Sequence, residues 1–363
     1  MFVKANAAQC VGCLLGGAIG DALGAPIEFL TLAQIRERFG ERGVTRYVEF
    51  ADGAGQFTDD TQMTLFTAEG LLRAGNRARQ RGIYGARQVI VYQAYLRWLH
   101  TQGETCVKPP PQGWGVYDVT RGWLIHQKGL FVRRAPGNTC LGALRSGRAG
   151  TIAAPLNQSK GCGGIMRVAP VALMYATEPT RAFEIGCETA ALTHGHPSGY
   201  LAAGCLASAL AFLVQGESLP QAIQATRAIL RQWEHHQECL AAIDRALALY
   251  ETTPPTAESI ETLGGAWVGE ETLSIAFYCA LHFQNDFRQG ILAAVNHSGD
   301  CDSTGAVTGN ILGLIKPAQL PTEWIDRLEL ANVVREIALD LANGFQGADA
   351  EAEAAWMEKY PPY

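Results

Sequence analysis

The sequence predicts an all-α fold, and three observations predict it. Apolar residues recur at three- and four-residue steps through most of the chain, as at Ala182, Ile185, Ala190 and Leu192, the period of a helix with one buried face. Nothing resembles alternating strand–helix–strand units, and only Val44 to Phe50 reads as a short extended piece. Glycines recur every four residues in two apolar segments, Gly12, Gly16, Gly20 and Gly24 near one end and Gly305, Gly309 and Gly313 near the other.

The apolar period places helices over roughly 7–24, 31–39, 61–79, 84–102, 138–146, 167–175 and 180–193. It places further ones over roughly 198–215, 219–231, 235–250, 270–282, 286–297, 303–314 and 323–342. Thr58 or Asp59 caps the helix that starts near Gln62, because both side chains accept hydrogen bonds from free helix amides. Asn138 stands at a helix entrance, and Pro197 opens the helix that carries Tyr200. Gly103 to Gly122 and Gly147 to Gly164 interrupt the pattern with Gly, Pro and Trp. Both contain aromatic or patterned glycine residues, unlike a free linker, so one domain is expected over 7–343 with its loops gathered at an active-site end. Residues 344–363, Ala/Glu-rich and ending Tyr-Pro-Pro-Tyr, read as a surface C-terminal tail.

The two glycine stripes need a physical reason. Residues four apart share a helix face, so each segment presents a face almost without side chains. Glycine inside a helix costs about 1 kcal/mol relative to alanine, and close approach of two central helices offsets that cost. Such an approach carries Asp21 and Glu28 towards the acidic cluster that opens the second striped helix.

Composition bounds the function. Apolar residues make up 48% of the 363 and charged residues 18%, which fits a packed globular protein rather than a disordered one. The net charge is −6 and the basic residues form no stripe, which argues against nucleic acid or an anionic membrane surface as partner. The apolar run from Ala7 to Gly20 is too short for a membrane span and ends at Asp21, so a cytoplasmic enzyme is expected; a single chain is able to bury the site by itself, so a monomer is expected. Ten cysteines include one CxxC pair, Cys10 and Cys13, without a second at zinc-site spacing. Most sit in Ala/Leu-rich helical segments, as small buried hydrophobes in a reducing compartment.

Two acidic clusters carry the chemistry. Gln56-Phe57-Thr58-Asp59-Asp60-Thr61 and Gly299-Asp300-Cys301-Asp302-Ser303-Thr304-Gly305 each open a helix. Capping explains one oxygen-bearing residue of the first cluster but not its second adjacent carboxylate, and neighbouring acids repel unless a cation, a proton or a basic residue relieves them. All these ligands are hard oxygens, which suit Mg²⁺ or Mn²⁺ better than zinc. The clusters lie 240 residues apart (300 minus 60), so only tertiary folding joins them.

Together these segments resemble the ADP-ribosylglycohydrolase family, which includes hydrolases acting on ADP-ribosylated dinitrogenase reductase and on ADP-ribosylarginine. The matching pieces are Gly12-Cys-Leu-Leu-Gly-Gly-Ala-Ile-Gly-Asp21-Ala-Leu-Gly24, Pro26-Ile-Glu28-Phe, Phe57-Thr-Asp-Asp-Thr-Gln-Met63, Gly163-Gly-Ile-Met-Arg-Val-Ala-Pro170, Thr193-His194 and Gly299-Asp-Cys-Asp-Ser-Thr-Gly-Ala306. The resemblance implies a compact helical fold holding two divalent cations, Mg²⁺ or Mn²⁺. It implies Thr58, Asp59, Asp60, Asp300, Asp302 and Ser303 as their ligands, and Glu28 as a loop glutamate closing over the site. Two departures are visible: Ser303 stands where threonine is usual, and Cys162 stands in a Gly-Asn-Gly position.

On this reading, Asp302 or Glu28 takes a proton from the attacking water, with Asp302 slightly favoured because the metal cluster anchors it. The Ser159-to-Gly164 loop entering a helix offers backbone amides to a diphosphate, although its spacing is not that of a Walker loop. The resemblance puts Gly163, Gly164, Met166 and His194 in contact with ADP-ribose, and Asn138 and Tyr200 are expected beside them. His194 and His196 lack the third ligand a zinc site requires. Trp114, Tyr117 and Trp123 serve to stack on adenine, to contact the modified protein or to anchor their loop to the core. The expected partner is an ADP-ribosylated protein, with arginine as the modified residue. Serine-linked ADP-ribose, O-acetyl-ADP-ribose or another small conjugate stays open as substrate. So do a role in immunity to an ADP-ribosylating toxin and a purely structural role.

Overall fold

The computed structural model describes residues 3–51, 53–105, 118–347 and 349–362. Among them the chain forms α1 (Ala7–Gly24), α2 (Leu32–Phe39), a hairpin of β1 (Glu49–Phe50) and β2 (Gly53–Ala54), α3 (Asp59–Arg81) and α4 (Arg87–Thr101). There follow α5 (Asn138–Arg145), α6 (Ala169–Met174), α7 (Pro179–Ala191), α8 (Pro197–Val214), α9 (Leu219–Leu230) and α10 (Gln237–Thr252). Then come α11 (Ala257–Glu261), α12 (Gly269–His282), α13 (Phe287–Val295), α14 (Cys301–Ile315), α15 (Thr322–Ile325), α16 (Ala331–Asn343) and α17 (Ala350–Lys359). The fold is all-α, as the apolar period requires. The Trp114 and Tyr117 positions lie outside the described residues.

The centre of the molecule is the antiparallel pair α1 and α14, the most extensive helix–helix contact of the fold. A Cβ placed on Gly12, Gly16 or Gly20 would stand 2.2, 2.3 and 2.0 Å from the carbonyl oxygens of Gly313, Gly309 and Gly305. In the other direction, a Cβ on Gly305, Gly309 or Gly313 would stand 2.4, 2.0 and 2.1 Å from the oxygens of Gly20, Gly16 and Gly12. Backbone therefore lies directly on backbone, and no residue larger than glycine fits at these crossings. Because the pair is antiparallel, the C-terminal end of α1 meets the N-terminal end of α14.

α1 and α8 are each long and apolar enough to cross a membrane, but 89% of either window is buried inside the protein. Both are core helices. Nine cysteines fall among the described residues and all are free thiols, Cys10 and Cys13 included.

Three departures from the expected elements are set by tertiary contacts. The helix expected over 323–342 is split, because Leu330 takes a left-handed conformation (φ +50°) and Glu329 turns to donate its N–H to the Gly55 carbonyl. The short α11, opened by a Thr256 capping box, breaks a segment with no long apolar period. The tail expected as a surface appendage contains α17 and docks: Tyr360 is fully buried, its carbonyl accepts from Asn76 Nδ2 at 2.8 Å, and Trp356 Nε1 donates to Asn76 Oδ1 at 2.7 Å.

Candidate metal centre and its cleft

The glycine crossings deliver the end of α1 to the start of α14, with a Cβ on Gly24 only 2.4 Å from the Cys301 carbonyl and 2.5 Å from the Asp302 nitrogen. Asp21 ties in the third element. Its fully buried carboxylate accepts from Thr58 N and Oγ1 (2.9 and 3.0 Å) and from Thr61 N and Oγ1 (2.9 and 2.6 Å), which fixes the first turn of α3. Burial raises Asp21 to about 6 even against these four bonds. Asp21 is thus the staple behind the centre, a role the sequence reading did not assign to it.

The two acidic clusters meet. Thr58 Oγ1 lies 3.1 Å from Asp302 Oδ2, and Ser303 Oγ donates to Asp60 Oδ2 at 2.9 Å. The threonine hydroxyl has one proton for both Asp21 and Asp302, so it satisfies only one of them at a time. Asp302 Oδ1 accepts from Ser303 N (3.0 Å), Asp300 Oδ1 from the same amide (3.2 Å), and Asp59 Oδ2 from Gly137 N (3.3 Å). Cys162 Sγ donates to Asp300 Oδ2 at 2.7 Å, which gives the unusual cysteine a defined contact at the centre. Ser303 keeps its hydroxyl in the same network, so the missing threonine methyl removes no polar contact.

Glu28 enters from the turn after α1. It is 7% exposed, and its Oε2 has no hydrogen-bond partner. One carboxylate oxygen each from Glu28, Asp300 and Asp302 lie within 4.8 Å of one another. Burial first, and then repulsion by neighbouring carboxylates, pushes Glu28 up to about 9 and Asp59 to about 8, and raises Asp60 and Asp302 well above the usual carboxylate range. A site of buried carboxylate and hydroxyl oxygens, one of them unpartnered, has the donor chemistry of a hard divalent cation.

These groups form the floor of a cleft of about 420 Å³. Glu28, Asp59, Asp60, Asp300, Asp302 and Ser303 line it, and Thr58 lies just beneath, fully buried. Of the positions expected to meet ADP-ribose, Asn138, Gly163, Met166 and His194 are in the wall. Asn138 is the first residue of α5, and no side chain caps that helix. Two expected positions are not in this lining. Gly164 is turned from the cleft and packs on Ala190, where a Cβ would stand 2.8 Å from the alanine side chain. Tyr200 lies outside the cleft lining and belongs to the core, because its turn of α8 is buried. The 159–164 loop ends in a 3₁₀ turn, Cys162–Gly164, rather than entering a helix directly, and Lys160 is held by Glu238 and Glu270. His196 accepts from Ser198 N at 3.2 Å and caps α8. Trp123 packs under the Lys359 amine, 4.4 Å from its ring centroid, and so helps to anchor the tail.

Sequence reasoning missed the aromatic rim. Phe29 and Trp267 stack at 5.7 Å between centroids and 19° between planes while remaining 70% and 46% exposed. The backbone at Trp267 is fixed: Cys162 N donates to its carbonyl, and Gly265 O receives the Asp300 N–H at 2.9 Å. A signal existed in Gly264-Gly265-Ala266-Trp267, a turn followed by an aromatic residue, but it carries no information about what the ring faces.

A family model described as ADP-ribosylglycohydrolase matches residues 4–351. The ADP-ribosyl-[dinitrogen reductase] glycohydrolase of Rhodospirillum rubrum is 25% identical over 334 residues, covering 91% of this chain and 92% of its own length. The ADP-ribosylarginine hydrolase Tri1 of Pseudomonas putida is 25% identical over 345 residues, covering 91% and 76% respectively. Among solved structures, an ADP-ribosylglycohydrolase-related protein complex superposes with a TM-score of 0.66 at 25% identity, covering 93% of this chain and 98% of that one.

Proposed function

We propose an arginine-linked, N-glycosidic substrate and a two-cation centre for this chain, which belongs to the ADP-ribosylglycohydrolase family and hydrolyses ADP-ribose conjugates. The observation that carries the metal part is the convergence of Glu28, Asp300 and Asp302 oxygens within 4.8 Å at the floor of a cleft, with Glu28 Oε2 unpartnered. Thr58, Asp59, Asp60, Asp300, Asp302 and Ser303 would hold Mg²⁺ or Mn²⁺. Bound there, two such cations would supply orientation of the ribose hydroxyls and a lowered pKa for a water. Asn138, Gly163, Met166 and His194 give the ADP-ribose its wall.

Glu28 and Asp302 divide the remaining work. Asp302 Oδ1 accepts from Ser303 N and its Oδ2 shares the single Thr58 hydroxyl proton with Asp21, whereas Glu28 Oε2 has no hydrogen-bond partner at the cleft. That difference supports proton acceptance from water by Glu28 and an anchored-ligand role for Asp302, the other order from the slight preference drawn from the sequence. Without a cation, burial and the neighbouring acids keep the proton on Glu28, pushed up to about 9; cations bound beside it would lower that value and leave the carboxylate a general base needs. Arginine is favoured by the likeness to the Pseudomonas ADP-ribosylarginine hydrolase and by the exposed Phe29–Trp267 rim beside Glu28, since a planar guanidinium stacks on such rings.

A panel of defined peptides and small conjugates tests the assignment. Turnover of arginine-linked ADP-ribose should exceed that of serine-linked ADP-ribose and of O-acetyl-ADP-ribose, and chelation should abolish it. Faster release from serine or acetate would reject the arginine reading. Comparing Glu28→Gln with Asp302→Asn separates the two carboxylates: the first should lose turnover at full metal occupancy, the second should lose occupancy.

A further inference from the structure

Behind the cleft wall lies a buried cation that makes no ion pair with a carboxylate among the described residues. Arg167 is fully buried, its guanidinium 4.3 Å over the Tyr95 ring, with Nη1 3.3 Å from Cys140 Sγ and 3.5 Å from Met63 Sδ. Nη2 donates to Thr193 Oγ1 at 2.7 Å, and the same oxygen lies 2.8 Å from His194 Nδ1.

The donor inventory orders this chain. A guanidinium only donates, so Thr193 Oγ1 must accept from it, and the hydroxyl proton is left for another acceptor. Nδ1 at 2.8 Å is a good acceptor; the Cys140 sulfur nearby is a weak one. An Nδ1 that accepts is unprotonated. Burial, and then the charge of Arg167, keep the ring neutral down to about 3, so it carries a single proton, which must sit on Nε2. Nε2 faces the glycine loop at the cleft wall: a Cβ added to Gly163 would stand 3.1 Å from it and one added to Gly161 3.4 Å.

We propose that Arg167 and Thr193 are positioning residues that fix His194 as its Nε2–H tautomer, so that the ring presents a neutral hydrogen-bond donor to an acceptor oxygen of the ligand, of the phosphate class. In a cleft floored by carboxylates, a donor of fixed direction is what a diphosphate oxygen needs there, and a histidine that could turn acceptor would repel it. The last step, recognition of the ligand, rests on ADP-ribose occupying the cleft; the tautomer does not.

Long-range ¹H–¹⁵N spectra of the full-length, ¹⁵N-histidine-labelled protein at neutral pH test the tautomer directly, with the His194 signals assigned by their loss in His194→Gln. The expected pattern is an unprotonated Nδ1 and a protonated Nε2; a protonated Nδ1 overturns the proposal. In Thr193→Val the pattern should shift towards a tautomer mixture. The Kd for ADP-ribose and the KM should rise roughly tenfold, the scale of one hydrogen bond to a charged acceptor, with kcat retained. Thr193→Ser should restore both signals and affinity. A Thr193→Val protein that keeps the wild-type tautomer and the wild-type Kd refutes the relay. Absence of ADP-ribose binding to the wild-type protein would instead remove the substrate reading, while the spectra still decide the tautomer.

Discussion

Replacing Gly20 by alanine should destabilise the protein, although the same change in an open helix position stabilises it. A Cβ at Gly20 would stand 2.0 Å from Gly305 O and 2.3 Å from Gly305 C, whereas real Cβ atoms essentially never approach closer than 3.0 Å. The shortfall is 1.0 Å (3.0 minus 2.0), and the atoms in the way are backbone on a helix that is itself locked by five further glycine contacts along the same seam. α1 and α14 must separate, or the helix ends must tilt. Overpacking of a tight core typically costs about 1–3 kcal/mol, and the unyielding backbone places this site at the upper end. Alanine returns about 1 kcal/mol of helix propensity, leaving a net loss of roughly 2 kcal/mol. With an unfolding entropy of about 2.1 cal/mol/K per residue, that loss lowers Tm by roughly 3 °C for this chain. The second consequence is chemical, because Asp21 follows Gly20 directly and its carboxylate holds Thr58 beside Asp302. Affinity for Mn²⁺ should fall by about tenfold or more, read by calorimetric titration alongside urea unfolding of the same preparation. Gly75→Ala is the control: this helical glycine of α3 has nothing within 4 Å of its added Cβ, and alanine there should stabilise by about 0.5–1 kcal/mol. A Gly20→Ala protein as stable as the Gly75→Ala control, or binding Mn²⁺ with wild-type affinity, would refute the reasoning that the stripe exists to join the two clusters.

Metal-free protein should lose stability as pH rises. Glu28 at about 9 and Asp59 at about 8 hold protons that the unfolded chain releases near 4.5 and 3.8, so the folded state binds more protons across that window and the unfolding free energy falls with pH. Mg²⁺ or Mn²⁺ should flatten the fall by binding the folded state; urea midpoints that do not vary between about pH 5 and 8 without metal would contradict the charge assignment. Tyr360→Ala should cost about 3–5 kcal/mol, as for other large buried aromatics, because Tyr360 is fully buried and its hydroxyl donates to Asp340 at 2.5 Å; a loss under 1 kcal/mol in urea unfolding would return the tail to the status of an appendage. Trp267→Ala should raise the KM for an arginine-linked conjugate several-fold, the scale of a partly desolvated cation–π contact. Stability should be nearly unchanged, since the ring is half exposed; an unchanged KM would remove the rim from substrate recognition.

The centre was legible in the sequence because its information is local. A four-residue glycine period fixes one face of a helix whatever the rest of the chain does, and Asp59-Asp60 or Asp300-x-Asp302 at a helix start cannot avoid placing carboxylates together. What was not legible depends on partners distant in sequence. Leu330 breaks its helix where Glu329 bonds to Gly55, and the tail is held through Asn76, contacts spanning hundreds of residues that no period encodes. Tyr200 has the same local signal as His194, a polar aromatic near a helix start, yet one lies in the core and the other in the cleft wall. Phe29 and Trp267 are aromatic residues that the core leaves outside, and sequence cannot distinguish that from ordinary burial until the fold has been built.

The stripe and the acids are two halves of one device, and charge counting shows why. Two helix N-termini, those of α3 and α14, point into the centre, each worth about half a positive charge. Together they supply about +1 against the carboxylates of Asp21, Glu28, Asp59, Asp60, Asp300 and Asp302. The nearby Arg134 is committed to Glu329 and to the Phe57 carbonyl. Fully ionised, the centre would carry about −5 after the helix ends are counted. In the metal-free protein burial, and then this mutual repulsion, favours the protonated acids, and four of them beside Asp21 are shifted upwards. Two dications would relieve it to about −1 and displace those protons. One dication would leave about −3 and keep some acids protonated. Proton release on saturation with Mn²⁺, followed by calorimetry in buffers of different ionisation enthalpy, therefore reports the number of cations as well as their affinity. The glycine crossings make that count large by forcing the ends of α1 and α14 together while Asp21 holds the start of α3 against them, so the packing that costs helix propensity is also what concentrates the acids.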